Sequence, residues 1–515
     1  MLTRRLALHL PLGLGLASAA RTQAQQPESG RVLRITAPWE LKGIDPARGG
    51  FVLQRLSIAE TLVAVGADGR LQPGLASTWT ASPDGLAWRF PIAPGRQFHD
   101  GTPVTAAAAA RALELGRAAP GSALAAAPVT GVDSEDEAVV VRLSRPFAVL
   151  PASLSSYAGI VLAPASYGAD GRVQRVIGSG PYRLTNIDGT LVVDAEAVEP
   201  AGAGGPAIRR VRYRAVADGE TRARLAEAGD VEIAFNLQAV AADRVRRGNR
   251  AQVLSVPIPR VRYVALNLAL PAFADVRVRQ ALSLALDRAA AARVILRNAG
   301  AAADQLLPPS LQDWRDPASA PLGTDPDAAR RLLDAAGWRS GTDGIRVRDG
   351  RRLSFELFTY ASRPELPVLA EAIQSQWREV GVDARIRLGD SEEIPAMRGA
   401  GTLQAAFLAR GYGFTPDPVG TLADDFLPPS TNGYGPAGWR SPELEEAIRR
   451  YGAATDPAEQ TALRHRISAI LQSELPVIPH SWYDQIVAVS HSVQGLVIDP
   501  LEITYGIPQL RWATS

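Results

Sequence analysis

The chain has 515 residues, which at roughly 150 residues per domain predicts two or three lobes and excludes a mini-protein. Hydrophobic residues make up 46% and charged residues 21% of the chain, a composition that excludes a disordered protein. The 55 basic and 53 acidic side chains nearly cancel, so the basic stripe needed to bind nucleic acid is not expected.

The N-terminus has the pattern of an export signal. Arg4 and Arg5 precede an apolar run from Leu6 to Ala20, and small residues follow at 17–19 and 22–24. This pattern predicts a signal peptide over residues 1–24, with an uncleaved anchor as the alternative. Sec and twin-arginine export both fit. We therefore expect a soluble periplasmic protein, and the absence of cysteine excludes lipidation at an N-terminal Cys as well as disulfides and thiolate metal sites.

Apolar periodicity predicts the elements of the first half of the chain. The predicted strands are Val32–Thr36, Ala87–Ile92, Ala138–Leu143, a strand from Tyr182 and Val231–Phe235. The predicted helices are Phe51–Val65, an Ala-rich helix capped by Thr105 and ending near Leu115, and Arg222–Glu227. Pro83-Asp84-Gly85 predicts a hairpin turn, and Gly and Pro predict a flexible loop over 201–206.

Helices and strands continue to alternate in the second half. The predicted strands are Tyr263–Leu268, Leu353–Phe358 and Val382–Leu388. The predicted helices are Val276–Ala292, one from Asp325 through Leu333, and Leu366–Val380. The alternation predicts mixed α/β lobes.

A series of short motifs runs through the chain in a fixed order. They are Ile44–Pro46, Leu75–Trp79, Ser82–Gly85, Trp88–Phe90, Phe98–Val104, Gly178–Tyr182, Val278–Ser283, Ala285–Arg288, Leu307–Pro309 and Asp417–Pro418. Taken together over residues 32–500, this order resembles the large solute-binding proteins of ABC importers. That family carries oligopeptides, dipeptides, nickel chelates and opine-like metallophores.

The resemblance implies an α/β fold, the two-lobed periplasmic binding protein type II clamp, with discontinuous lobes and an extra small subdomain. Lobe I would comprise residues 25–66, 178–265 and 482–515, the appended subdomain residues 67–177, and lobe II residues 266–481. A cleft between two lobes can bury most of a small solute, and its closure is a signal that a permease can read. The implied partners are a small-molecule solute and the ABC permease subunits of the inner membrane. A monomer without cofactor is expected.

Phe414 bears on the nature of the solute. In peptide-binding members, the similar segment places an aspartate three residues before the Asp417-Pro418 pair, where it binds the peptide's α-ammonium. This chain has Phe414 there. An ammonium gains about 0.5 to 2 kcal/mol from a ring and about 1.5 to 3 kcal/mol from a carboxylate hydrogen bond. Free-amine peptides are therefore less favoured, unless Phe414 is only a packed loop aromatic.

The chelate-binding members resemble this chain from Glu392 to Pro418 and from Ile503 to Pro508. Two departures weaken the case for assigning the chelate-binding role to this chain. Residues 155–160 hold no arginine where those proteins hold the chelator's carboxylates, and residues 431–438 hold no histidine. Arg117 and Arg410 are candidate carboxylate clamps, since a guanidinium matches a carboxylate bidentately; the alternative is that both are surface arginines.

Several aromatic residues fall in loops near the predicted lobe interface. The candidates for solute contact are Trp39, Tyr412, Tyr434 and Trp439. They would either line the cleft and stack on the solute or only pack the two lobes together. For Trp39 and Tyr412 we favour a position that lines the cleft.

Catalytic and metal motifs do not emerge from the sequence. No Gly-x-Ser-x-Gly elbow stands out, and the five histidines show no metal-site spacing. The acidic pairs Asp424-Asp425 and Glu392-Glu393 are interpreted as solvated charge. We therefore expect a binding protein that performs no covalent chemistry, with peptide-like solutes and metal chelates both open. The alternatives are a periplasmic hydrolase and an exported chaperone-like or sensor protein.

Overall fold

The computed structural model describes residues 30–66, 69–119, 124, 127–199, 204–413, 415–428 and 433–514. The predicted signal peptide, Phe414 and the first half of the predicted 201–206 loop lie outside these residues. The helices are α1 (Pro46–Arg55), α2 (Ala106–Ala118), α3 (Leu150–Ser153), α4 (Gly219–Ala228), α5 (Ala239–Arg247), α6 (Pro271–Ala274), α7 (Val276–Leu284), α8 (Arg288–Val294), α9 (Pro326–Ala335), α10 (Glu365–Glu379), α11 (Glu393–Gly399), α12 (Val419–Phe426), α13 (Pro442–Ala453) and α14 (Pro457–Glu474).

The strands alternate with these helices along the chain. They are β1 (Val32–Ala37), β2 (Glu60–Thr61), β3 (Val63–Val65), β4 (Leu71–Pro73), β5 (Thr80–Ala81), β6 (Ala87–Pro91), β7 (Val129–Glu135), β8 (Ala138–Leu143), β9 (Ile160–Val161), β10 (Tyr182–Asp188), β11 (Val192–Ala197), β12 (Arg210–Ala215), β13 (Ile233–Phe235), β14 (Ala251–Leu266), β15 (Arg339–Ser340), β16 (Arg346–Arg348), β17 (Arg351–Arg352), β18 (Ser354–Tyr360), β19 (Asp383–Gly389), β20 (Ala405–Gly411), β21 (Val477–Ser490), β22 (Val493–Gln494) and β23 (Arg511–Trp512). The predicted mixed α/β class is confirmed.

A ten-stranded sheet runs through the molecule in the order β10-β11-β12-β1-β13-β21-β14-β20-β18-β19. β1 is parallel to β12 and β13 at one end, and β18 is parallel to β19 and β20 at the other. β14 and β21 pair antiparallel between these two halves. The sheet therefore consists of two parallel groups joined by one long antiparallel pair, with the antiparallel strands β10 and β11 at one edge.

Each half of the sheet has its own apolar core. One buried cluster joins β1, α1 and β11–β13 to the C-terminal segment. A second joins β18–β20 to α7, α9, α10, α13 and α14. A third lies outside the large sheet, between α2 and the four-stranded sheet β5-β6-β8-β7. Two separate cores with one connecting strand pair allow the halves to move as units.

The two long strands cross from one core to the other. Val487 of β21 packs in the first cluster, whereas Ile478 of the same strand packs in the second. Ile258 and Val261 of β14 pair with neighbouring residues of β21, so Pro259 and Arg260 form a bulge at the crossing. A bulge bends its strand and loosens the pairing. The bulge therefore lies where the two strands pass from one core to the other.

Two predicted helices are wrong in extent. The helix expected over Phe51–Val65 begins earlier, because Asp45 accepts a hydrogen bond from the Ala47 amide and Pro46 fits the first turn. It ends at Arg55, and β2 and β3 follow. The single helix expected over Val276–Ala292 is two helices, because Asp287 caps a new one by accepting from the Ala290 amide. The predicted Thr105 cap of α2 is confirmed by its bond from the Ala108 amide.

Candidate functional site

The carboxyl ends of the parallel strands in both halves point at the same crossing. Phe235 ends β13 opposite Val487 of β21, and Gly411 ends β20 opposite Arg260 of β14. β1 and β12 run parallel with β13, and β18 runs parallel with β20, so their carboxyl ends meet there too. In open α/β sheets, ligands bind outside the carboxyl ends of strands. The space between the halves is the candidate site, and we call it the crevice.

A cavity of about 630 Å³ lies in the crevice. The loops after β1, β12 and β13 contribute Pro38, Ala217 and Asn236 to one wall, and residues 362–365 after β18 contribute to the other. Residues 482–484 of β21 connect the walls. The volume falls within the range of small-molecule sites, about 300 to 1,000 Å³.

Arg363 is the unmatched cation of the crevice. It lies between β18 and α10, with its guanidinium carbon 5.3 Å from the centre of the Tyr483 ring. Within the described residues its side chain forms no hydrogen bond or ion pair. Burial alone would lower the pKa of Arg363, but Tyr483, Tyr360 and Glu365 outweigh burial and raise it. A permanently charged donor therefore faces the cavity without a protein acceptor.

The neighbouring carboxylate, Glu365, is already engaged. Arg262 Nη2 lies 3.1 Å from its Oε1, and the Tyr483 hydroxyl donates to the same oxygen. Arg262 also stacks on Tyr483 at 3.3 Å from the ring centre. Burial by itself would raise the pKa of Glu365, yet the two nearby guanidiniums, of Arg262 and Arg363, lower it. Glu365 is thus ionised and oriented toward Arg262.

A buried ion pair lies at the bulge of β14. Arg260 Nη2 is 2.6 Å from Glu502 Oε2, and both residues are less than one-tenth exposed. Arg260 Nη1 and Glu502 Oε1 have no hydrogen-bond partner in the described structure. Arg55 Nε donates to the Glu502 carbonyl over 2.8 Å and stacks on Trp39 at 4.1 Å. The pair leaves one buried donor and one buried acceptor unused.

Arg222 fastens the strand ends on the opposite wall. It is buried and donates to the carbonyl oxygens of Val216, Ala217, Phe235 and Asn236, at the carboxyl ends of β12 and β13. Burial lowers the pKa of this guanidinium to about 10. Its charge has only carbonyl dipoles as hydrogen-bond acceptors.

Arg410, a predicted carboxylate clamp, has acceptors from the protein itself. Its Nε lies 2.8 Å from Asp425 Oδ2 and its Nη2 lies 3.4 Å from Asp424 Oδ2. Asp425 has 0% exposure, so the interpretation of Asp424-Asp425 as solvated charge was wrong for Asp425. A buried carboxylate needs this counter-charge. Arg410 therefore links the end of β20 to α12 through these two carboxylates.

The predicted aromatic residues take different positions. Tyr412 has 0% exposure within the second core, so its ring presents no surface to solvent in this conformation. Tyr434 is half-buried beneath Arg410, whose guanidinium carbon is 5.2 Å from its ring centre. Trp39 is half-buried against Arg55. Trp439 lines a separate cavity of about 420 Å³ with Asp425, and its Nε1 donates to Glu474 over 3.1 Å.

Arg117, the other predicted clamp, pairs with Glu114 on the same helix, α2. Phe414 lies outside the described residues, so its side chain is not located. Arg410, Tyr412 and Tyr434 therefore come together around Asp425, whereas Trp39 packs against Arg55.

The sequence reasoning missed Arg363, Arg260 and Glu502. Arg363 was within reach, because it lies between a predicted strand and a predicted helix, at a carboxyl end. Arg260 and Glu502 are 242 residues apart and meet only through the fold. Among the described residues, no group of three metal-ligating side chains comes together. In the same part of the chain, no helix combines the length and apolarity needed to span a membrane.

Comparison with known proteins gives three kinds of match. Residues 70–432 match the model of the family described as "Bacterial extracellular solute-binding proteins, family 5 Middle". The glutathione-binding protein GsiB of Escherichia coli O1:K1 is 25% identical over 451 residues, which cover 84% of each chain.

Two solved structures share the fold. NikA from Brucella suis, in complex with Fe(III)-EDTA, superposes with a TM-score of 0.84 at 23% identity, over 94% of this chain and 100% of that one. The oligopeptide-binding protein AppA from Bacillus subtilis, in complex with a nonapeptide, has a TM-score of 0.80 at 18% identity, over 94% and 99%. The predicted two-lobed binding-protein architecture is confirmed.

Proposed function

Since the chain belongs to the family 5 bacterial extracellular solute-binding proteins, and is thereby the solute-binding protein of an ABC importer, we propose that its crevice captures a peptide-like solute or a metal chelate and releases it intact to the permease. One observation carries this proposal. Strand carboxyl ends from two separately packed halves converge on a cavity of about 630 Å³, and the strands that connect the halves are bulged there. This arrangement suits a trap that closes on a small molecule.

The candidate solutes share a chemical group that fits the crevice. Glutathione, Fe(III)-EDTA and a nonapeptide, named with the matched proteins, all carry carboxylates. Arg363 offers a guanidinium without a protein acceptor, and a guanidinium binds a carboxylate through two parallel hydrogen bonds. Arg363 is thus our proposed carboxylate anchor. Arg410 and Arg117 are assigned instead to pairs with Asp425 and Glu114.

The other site residues follow from their positions. Trp39 and Tyr434 are half-buried near the carboxyl ends of β1 and β20 and are proposed to contact the solute. Tyr412 supports the second lobe from its core. Phe414 and Trp439 remain candidates for solute contact from the sequence pattern.

The division into lobes, the location and the assembly belong to the same proposal. Residues 25–66, 178–265 and 482–515 would move against residues 266–481, with residues 67–177 attached to the first lobe. Export by residues 1–24 would place a soluble monomer in the periplasm, where it meets the permease subunits. Binding without covalent chemistry is what the family's described role supports.

Closure can be measured because the chain has no cysteine. Val240 and Val294 are 55% and 73% exposed and lie on opposite walls of the crevice. Residues 25–515 with Val240→Cys and Val294→Cys would carry a donor and an acceptor dye. A panel of peptides and metal chelates should include a solute that raises energy transfer. Dyes at Val294→Cys and Val368→Cys, both on the second half, are the control and should report no change.

The fate of the solute separates this proposal from its rivals. Mass spectrometry of the released solute should recover it unchanged, whereas a hydrolase would yield fragments. Deletion of the protein should abolish uptake of that solute, whereas a chaperone-like or sensor protein would leave uptake intact. Fragmented solute, or unchanged energy transfer across the whole panel, would refute the proposed function.

A further inference from the structure

The crevice carries an excess of positive charge. Five arginines and three carboxylates line its cavity. They are Arg222, Arg246, Arg262, Arg297, Arg363, Asp243, Glu365 and Asp484. The whole chain, by contrast, has a net charge of only +2 among 108 charged side chains. The excess at this one place is therefore a local property of the fold.

Each of the three carboxylates is satisfied by the protein. Asp243 pairs with Arg246 at 2.7 Å and with Arg297 at 3.4 Å. Glu365 pairs with Arg262.

Asp484 accepts hydrogen bonds from Ser255 and Asn298, each over 3.0 Å. Arg222 and Arg363 are left without a carboxylate among the described residues. Asp484 is bonded only to neutral donors and offsets one positive charge, so the charged side chains that line the cavity keep an excess of two positive charges.

A further buried arginine lies beside the cavity. Arg260 lies with its guanidinium carbon 5.6 Å from the ring centre of Tyr483, which lines the cavity, and it pairs with the buried carboxylate of Glu502. Arg260 is 4% exposed, and its Nη1 has no hydrogen-bond partner in the described structure. Burial lowers the pKa of Arg260, and the charges of Arg363 and Arg55 lower it further, while Glu502 opposes them. An unpaired buried donor on a cation is costly unless a ligand supplies the acceptor.

We propose that the solute is an anion with at least two carboxylates, one held by Arg363 and the other received by Arg260 Nη1. This inference rests on the proposed function and narrows it. Neutral zwitterionic dipeptides and uncharged chelates bring too little negative charge to compensate the crevice. Acidic peptides and polycarboxylate chelates bring enough.

Two pairs of probes test the charge requirement. Ala-Glu and Ala-Gln have nearly the same size and differ by one carboxylate. Fe(III)-EDTA is anionic, whereas the bis-histidine complex of nickel is uncharged. Calorimetry at low salt should show Ala-Glu binding about tenfold or more tightly than Ala-Gln, and Fe(III)-EDTA more tightly than the nickel complex. Both preferences should shrink at high salt.

Three variants assign the effect to residues. Arg363→Gln should weaken Ala-Glu and Ala-Gln alike, because both have a terminal carboxylate. The double variant Arg260→Gln with Glu502→Gln keeps the net charge and should erase most of the preference for Ala-Glu. Arg224→Gln removes an exposed cation that lies outside the cavity and pairs with Glu220 on α4, so it should leave the preference within about twofold. Thermal melts confirm that each variant is folded.

The outcomes separate this inference from the proposed function. Equal affinity within both probe pairs would overturn the charge requirement, while a rise in energy transfer with any solute would still support capture. Failure of all four probes to bind the folded wild type would also overturn it. A preference for Ala-Glu that survives in the double variant would remove Arg260 from the site.

Discussion

Arg363 and Arg410 show how two arginines near one crevice come to serve different purposes. Arg410 faces two aspartates, one of them completely buried. Arg363 faces an aromatic ring and a carboxylate that Arg262 already holds. The same type of side chain is therefore structural at position 410 and available to a ligand at position 363.

This difference predicts opposite effects of substitution on stability. Arg410→Gln leaves the Asp425 carboxylate buried without its cation, so the free energy of unfolding should fall by about 3 to 5 kcal/mol. Arg363→Gln removes a charge that has no protein partner, so stability should hold or rise. Urea denaturation of the two variants at neutral pH measures both. Arg410→Gln as stable as wild type would show that Asp425 does not depend on this pair.

The pKa of His480 makes the stability of the chain depend on pH. It is buried beside Ser481 and Phe407, and burial, with Arg288 and Arg262, lowers its pKa from 6.5 to about 3. The unfolded chain binds the proton below pH 6.5 and the folded chain does not. The contribution of His480 to the free energy of unfolding is therefore complete above pH 6.5 and is lost as the pH falls from about 6.5 toward 3.

We expect His480→Gln to flatten this dependence. Between these pH values, the wild type should lose up to about 1.4 kcal/mol more per pH unit than the variant. His465 and His491 are present in both proteins and cancel in the comparison. Urea midpoints measured from pH 7 to pH 4.5 provide the test. Parallel curves for the two proteins would mean that His480 is protonated in the native state.

At the scale of single elements, the start of α8 depends on one side chain. The Asp287 carboxylate accepts from the Ala290 amide over 2.8 Å and separates α8 from α7. Asp287→Ala should lower the free energy of unfolding by about 0.5 to 2 kcal/mol, whereas Asp287→Asn, a similarly good cap, should change it little. Urea denaturation compares the two. An equal loss in both variants would contradict the capping role.

The elements that the sequence predicts well are those with local causes. The Thr105 cap and the hairpin around Gly85 depend on residues a few positions apart, and both are present. The Phe51–Val65 helix failed because its apolar spacing continues past Arg55, where Ser57 adopts a positive φ and the chain turns into β2. Periodicity alone does not register such a turn.

The site was less predictable because its contacts are long-range. Arg410 could be named from a loop pattern, but its partners at 424 and 425 are reached only across the folded lobe. The partnerless state of Arg363 is likewise a property of the packed crevice. Sequence reasoning can place a guanidinium at a strand end, whereas only the fold shows which acceptors are already taken.

For the whole molecule, ion pairs connect the two halves, and the exposed pair of Lys42 with Glu392 is one of them beside that of Asp243 with Arg297. Lys42, the only lysine in the chain, follows β1 and contacts Glu392, which follows β19. The two side chains are 61% and 70% exposed, so the pair adds at most about 1 kcal/mol to closure. Lys42→Met should then weaken solute binding by up to about fivefold, mainly through faster release. Glu393→Gln, which alters a neighbour paired with Arg387 of the same half, should leave release unchanged.

The same lysine reports closure directly, because its ε-amine is the only side-chain amine that acetylating reagents can modify. In the closed protein this amine is held against Glu392, and the ion pair raises the pKa of Lys42. A saturating solute should therefore slow acetylation of Lys42, as measured by peptide mass spectrometry over time. Glu392→Gln removes the partner and should speed acetylation with and without solute, while leaving Lys42 equally exposed. An acetylation rate that changes neither with the solute nor with the substitution would show that the two halves do not meet at this pair in solution.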